Sequence, residues 1–226
     1  MNRLKPESFQ PRTCARTRVK ICGITRVEDA LAAAELGVDA LGLVFYDKSP
    51  RNVSIPLAQR VCAQLPAFVS TVGLFLNPDK AQVQQVLAEV DLDVLQFHGT
   101  ESADFCASFA RPFIKALGMG GEIREAGEVS TFIKQYSSAR GILLDSHKKG
   151  AAGGTGEAFD WSSIPSEIRR KIILAGGLNA DNVAQAIRQV HPFAVDLSSG
   201  VEASAGIKDN DLMVRLMQQV RRVDCE

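Results

Sequence analysis

Short apolar runs rich in β-branched residues alternate along this chain with stretches whose apolar positions recur every three to four residues. The runs fall at 19–23, 40–45, 69–75, 92–97, 112–117, 141–145, 171–175 and 193–197, and each reads as a strand. A helical pattern follows each one. In RVEDALAAAELG, Val27, Ala30, Leu31 and Ala34 share a face and Gly37 marks the stop. In NPDKAQVQQVLAEV, Asn77 is expected as the cap and Pro78 at the first helical position. Val183, Ala186, Ile187 and Val190 line one side of a helix that ends at Pro192, and Leu212, Leu216 and Val220 align in the last helix. The stretch GMGGEIREAGEVSTFIKQ reads as a loop followed by a helix.

Strands that alternate with helices imply parallel pairing and right-handed crossovers. Eight such units predict a single-domain (β/α)8 TIM barrel over residues 19–226. An open doubly wound sheet is disfavoured by the unit count and by the lack of a GxGxxG fingerprint after the first strand. Residues 1–18 are Arg-rich without an apolar signal core, and read as a flexible N-terminal tail rather than a transit peptide.

Charge and cysteine usage narrow the partners. The 226 residues carry no formal net charge, which argues against nucleic acid or a membrane surface as the main partner. An anionic ligand must then be held by local groups. The five cysteines, Cys14, Cys22, Cys62, Cys106 and Cys225, are dispersed and odd in number. That pattern fits a reducing, cytoplasmic compartment and no disulfide framework. No apolar run approaches the ~20 residues of a membrane helix. No long exposed apolar stripe demands a partner, so a monomer is expected.

In a barrel, chemistry belongs at the C-terminal ends of the strands. Here those ends read Cys22-Gly23, FYDKSPR, FLN, QFHG, ALG, LDSH, LAGGL and DLSSG, which are polar and glycine-rich where the strand interiors are not. The two-residue period points Lys20, Cys22, Leu143 and Asp145 into the barrel and sends Val19, Ile21, Ile142 and Leu144 toward the helices. Strands 1 and 8 adjoin in a closed barrel, so Lys20 and Asp196 are expected to meet as a buried ion pair. Cys22 and Asp145 then face a common opening, an arrangement that suits a base on one side of a substrate and an acid on the other. Cations near Cys22 would raise its thiolate fraction, and burial would raise the pKa of Asp145.

Glycines after strands 6, 7 and 8, in GGTGEAFDW, AGGL and SSG, suit a phosphate held by backbone amides and serine hydroxyls. Arg51, in the loop after strand 2, could grip a carboxylate bidentately. His98 and His147 lie near strand ends, but three histidines without paired spacing argue against a metal, and none is expected. Lys115 leaves room for Schiff-base chemistry or for a core-paired lysine.

The motifs KICGIT, GLVFYDKSPRNVS, LQFHG, LLDSHKKGAAGGTGEAFDW, LAGGLNADNV and PFAVDLSSGVE occur in this order. Together they resemble the phosphoribosylanthranilate isomerase family of tryptophan biosynthesis over residues 19–221. The resemblance implies a cofactor-free Amadori rearrangement of a small phosphorylated substrate. It implies Cys22 as general base and Asp145 as general acid. It also implies Arg51 at the anthranilate carboxylate, Gln96 and His98 at the substrate, and Gly154, Thr155, Gly156, Gly177, Ser198 and Ser199 at the phosphate. Phe97 and Leu197 depart from the family pattern without being proposed catalytic residues. Other sugar-phosphate isomerases on this barrel use paired aspartates, which a strand-1 cysteine disfavours. A silent phosphate-binding barrel and a Lys115 aldolase are the further alternatives.

Overall fold

The computed structural model describes residues 16–120, 126–148, 159–169 and 172–226. Eight parallel strands close into a barrel in chain order: β1 (Arg18–Cys22), β2 (Ala40–Val44), β3 (Ser70–Phe75), β4 (Val94–Phe97), β5 (Phe113–Gly120), β6 (Gly141–Lys148), β7 (Ile172–Leu174) and β8 (Ala194–Leu197). Helices α1 (Val27–Glu35), α2 (Ile55–Gln64), α3 (Lys80–Glu89), α4 (Ala103–Ala107), α5 (Ala126–Gln135), α6 (Val183–Val190) and α7 (Asn210–Asp224) surround it. A small hairpin, β9 (Glu202–Ser204) with β10 (Ile207–Lys208), follows β8.

The facing read from the sequence matches the packing. Val19, Ile21, Ile142 and Leu144 sit in the layer between barrel and helices, a large apolar cluster. A smaller cluster fills the barrel, built from Val72, Ile114, Ala116, Leu143, Ile173, Ala175 and Ala194. Strands buried on both faces account for near-continuous apolar runs. Phe97 stands among Phe75, Phe105, Phe109 and Phe113 at ring-centroid distances of 5.8–6.2 Å, in the outer layer.

Carboxylates fix strand starts at the bottom of the barrel. Asp39 accepts from the Val19 amide at 2.8 Å, and Asp93 accepts from the Thr71 amide at 2.7 Å. Both oxygens of Asp224, on α7, accept from the Thr17 amide at 3.0 and 3.1 Å, tying the last helix to the first strand. Thr17 and Arg18 therefore belong to the fold, although the sequence places them in the tail. Positions 1–15 lie outside the described residues.

Several elements differ from their expected form. The α3 cap is Asp79, whose side chain accepts from the Gln82 amide at 2.7 Å. Asn77 instead turns left-handed (φ 47°), and its side-chain oxygen accepts from the Thr100 amide at 2.7 Å. The buried face of α1 is Ala30 and Ala33 with Asp29, not Leu31 and Ala34. It is rotated because Asp29 accepts from the Lys208 amide at 3.0 Å and pairs with Arg26. β5 and β6 run on beyond 117 and 145 and stay paired, Gly118 with Asp145 and Gly120 with Lys148. Asp145 therefore lies within a strand rather than at its tip. Between β6 and β7, residues 159–169 hold a 3₁₀ turn at Trp161–Ser163 where a helix was expected. Asp160 caps it at 2.9 Å from the Ser162 amide, and Pro165 cannot serve a continuing helix as donor.

Candidate active site

The mouth of the barrel holds a cavity of about 780 Å³, counting its open end. Its wall includes Cys22, Arg51, Gln96, His98, Asp145, Gly177, Ser198 and Ser199. Every described site residue read from the sequence thus lies on one pocket. Positions 154–156 and the side chain of His147 lie outside what is described.

Cys22 ends β1 opposite Gly42 of β2. A Cβ on Gly42 would stand 2.6 Å from the Cys22 sulfur, so the missing side chain makes the space for the thiol. The next residue, Gly23, turns away with φ +77°, and a Cβ there would stand 2.5 Å from Cδ of Arg51. The Arg51 stem therefore lies directly over the end of β1.

Below Cys22 the expected ion pair is present. Lys20 Nζ lies 2.8 and 2.9 Å from the two oxygens of Asp196, both side chains buried, at paired register positions of β1 and β8. Burial would lower the Lys20 ammonium, but Asp196 and Cys22 outweigh it and leave it above its ordinary value. For Cys22 the balance goes the other way. Burial pushes the thiol up, Asp196 adds to that, and the charges of Lys20 and Lys208 offset only part. The cations expected near Cys22 are present, yet the net effect is a thiol held above its usual value.

Across the opening, Asp145 is buried and its Oδ2 lies 3.2 Å from Nε2 of His98. Nδ1 of His98 lies 3.2 Å from the amide nitrogen of fully buried Gln96. Gln96 thus holds the imidazole by Nδ1 and leaves Nε2 turned toward Asp145. The loop that carries His98 is fixed from outside by Glu101. Its carboxylate accepts from the Asn77 amide at 2.7 Å, from the Gly99 amide at 3.0 Å and from Lys115 at 2.9 Å. Lys115 also donates to the carbonyls of Phe97 and Gly99 at 3.2 and 2.6 Å. It is a core-paired lysine outside the pocket wall, which removes the Schiff-base reading.

Arg51 is forked onto Glu202, Nε to Oε1 at 2.9 Å and Nη2 to Oε2 at 2.7 Å. Lys208 Nζ reaches Glu202 at 2.7 Å, the Cys22 carbonyl at 2.7 Å and the Ser198 carbonyl at 3.3 Å. Glu202 and Lys208 went unrecognised in the sequence. The one available signal was that Glu202 closes the motif carrying Ser198 and Ser199. Two buried polar atoms, Gln96 Oε1 and Ser198 Oγ, have no hydrogen-bond partner and belong to pocket-wall residues. Among the described residues, no group of three or more His, Cys, Asp or Glu is placed to hold a metal ion.

A model of the N-(5'-phosphoribosyl)anthranilate (PRA) isomerase family matches residues 19–219. The chain belongs to this family. A phosphoribosylanthranilate isomerase of Pseudomonas putida (strain GB-1) is 53% identical over 205 residues, 91% of this chain and 98% of the relative. Among solved structures, the phosphoribosylanthranilate isomerase of Thermotoga maritima is 41% identical with a TM-score of 0.80, over 91% of this chain and 99% of that one. A further isomerase structure of the family holds reduced 1-(o-carboxyphenylamino)-1-deoxyribulose 5-phosphate. It is 38% identical with a TM-score of 0.75, over 91% of this chain and 99% of that one.

Proposed function

We propose that this pocket converts N-(5-phosphoribosyl)anthranilate into 1-(2-carboxyphenylamino)-1-deoxyribulose 5-phosphate in tryptophan biosynthesis, with Asp145 as general acid and Cys22 as general base. The observation that carries this reading is one buried carboxyl and one buried thiol on a single cavity, each with its own set of fixed partners.

The protonated carboxyl of Asp145 gives its proton to the ribose ring oxygen. The bond from C1 to that oxygen breaks as the anthranilate nitrogen supplies its lone pair, which leaves an open-chain iminium and an Asp145 carboxylate. Nε2 of His98 faces that carboxylate and stabilises it. The iminium acidifies the C2 proton, which the Cys22 thiolate removes. The electron pair flows back to nitrogen, and the resulting enolamine tautomerises to the ketone. No external oxidant or reductant enters.

Arg51 takes the substrate carboxylate. Gln96, whose Oε1 has no protein partner, accepts from a sugar hydroxyl. The phosphate lies at the amides and hydroxyls around Gly177, Ser198 and Ser199, completed by Gly154, Thr155 and Gly156. No cofactor or metal is needed for these steps. The free thiols of Cys22, Cys62, Cys106 and Cys225 support a cytoplasmic enzyme. Among the described residues, no helix is long and apolar enough to cross a membrane.

The test is the fluorescence decay of freshly made phosphoribosylanthranilate with wild type and Cys22→Ala side by side. Rapid decay in wild type alone is expected. Equal decay in both would remove Cys22 as the base, and none in either would favour a phosphate-binding barrel.

A further inference from the structure

We propose that Glu202 is the specificity-positioning residue of this site: it locks Arg51 so that one edge of the guanidinium is presented to the substrate carboxylate. The inference rests on the isomerase reading above for the identity of that carboxylate.

An arginine offers two edges for bidentate binding, the Nε/Nη2 side and the Nη1/Nη2 end. Glu202 occupies the first with both its oxygens, at 2.9 and 2.7 Å. The end edge is the one left for a ligand's carboxylate. The Arg51 stem packs over the end of β1 as well, its Cδ 2.5 Å from where a Cβ of Gly23 would stand. A side chain held at stem and head binds a planar carboxylate with little further loss of freedom.

Glu202 is itself held. Its side chain is 4% exposed and bridges Arg51 and Lys208. Burial would raise its carboxyl, but the bonds from the two cations outweigh that and hold it below its usual range. Lys208 ties the group to the Cys22 and Ser198 carbonyls, and its own amide donates to Asp29 at 3.0 Å. Thr25 anchors the hairpin at the Gly206 carbonyl. Two cations and one anion leave a net positive charge beside the pocket. A second anion is accommodated there without freeing Arg51 from the first.

The experiment measures affinity rather than turnover. Reduced 1-(o-carboxyphenylamino)-1-deoxyribulose 5-phosphate and its counterpart lacking the ring carboxylate are titrated into wild type, Glu202→Gln, Arg51→Met and the double variant. Glu202→Gln is expected to weaken the carboxylated ligand about tenfold and leave the other within twofold, as loss of one preorganised charged contact implies. In the Arg51→Met background, Glu202→Gln should add nothing, because its effect runs through Arg51. Should Glu202→Gln fail to fold, Glu202→Asp keeps the charge, shortens the reach and is expected to give the same split. Equal weakening of both ligands would overturn the proposal, as would unchanged affinity. Wild-type turnover is recorded alongside. The predicted affinity pattern without turnover would overturn the isomerase reading while upholding the Arg51–Glu202 assignment.

Discussion

Around Cys22 the mouth of the barrel is assembled from ion pairs: Lys20 with Asp196 beneath the thiol, and Arg51 with Glu202 and Lys208 beside it. Around Asp145 the contacts run from a buried amide to an imidazole and from the imidazole to the carboxylate. The difference matches what each side is asked to do. A base that needs a thiolate benefits from nearby fixed cations. An acid that must hold and then release a proton needs a partner that tolerates both states. An imidazole, whose own charge can change, meets that need where a permanent ammonium or guanidinium would hold the carboxylate ionised.

The largest effects should come from the two reacting groups. Cys22→Ser and Asp145→Asn are each expected to lower kcat by roughly 10²–10⁴-fold. Affinity for the reduced product should stay within a fewfold of wild type. Loss of binding in Asp145→Asn would make that residue a binding or structural group. Next comes Lys20→Met, which strands Asp196 as a buried charge. Chemical denaturation should show a loss of about 3–5 kcal/mol, the cost of breaking a buried pair from one side. His98→Asn should move the other side only. Its kcat should fall on the order of tenfold to a hundredfold as Asp145 loses its orientation, while the Cys22 alkylation rate stays unchanged. A matching change in that rate would show that the two sides are not independent.

The smallest and most graded effect is with pH. Because burial holds the Cys22 thiol above its usual value, only a minor fraction is thiolate at neutral pH. The alkylation rate of Cys22, which reports its thiolate alone, should therefore climb as pH rises, approaching tenfold per unit well below that pKa, and level off above it. A profile already flat at pH 6 would mean that the cations win over burial. The Arg51–Glu202 pair should not add to this slope, since the Glu202 carboxyl lies below its ordinary range and stays ionised.

Much of this was legible because strand period and barrel closure are strong local constraints. Lys20 and Asp196 lie 176 residues apart, yet alternation on two neighbouring strands was enough to pair them. The same logic put Cys22 and Asp145 on one opening. Glu202 and Lys208 escaped because nothing periodic governs a hairpin after the last strand. Glu202, the first residue of β9, meets Arg51, in the loop after β2, across 151 residues. The α1 face was misread for a related reason: Asp29 is buried to serve Lys208, and a polar residue turned inward is invisible to an apolar pattern. At α3, Asn77 and Asp79 are both good caps. Asn77 was already committed to Thr100, on the far side of β4.

The division of labour across the mouth can be read from the primary isotope effect with substrate deuterated at C2. In Cys22→Ser, proton removal becomes limiting and the effect on kcat should grow to its full primary size. In Asp145→Asn, ring opening becomes limiting and the effect should fall to near unity. A full effect in Asp145→Asn together with none in Cys22→Ser would reverse the two roles and contradict the account.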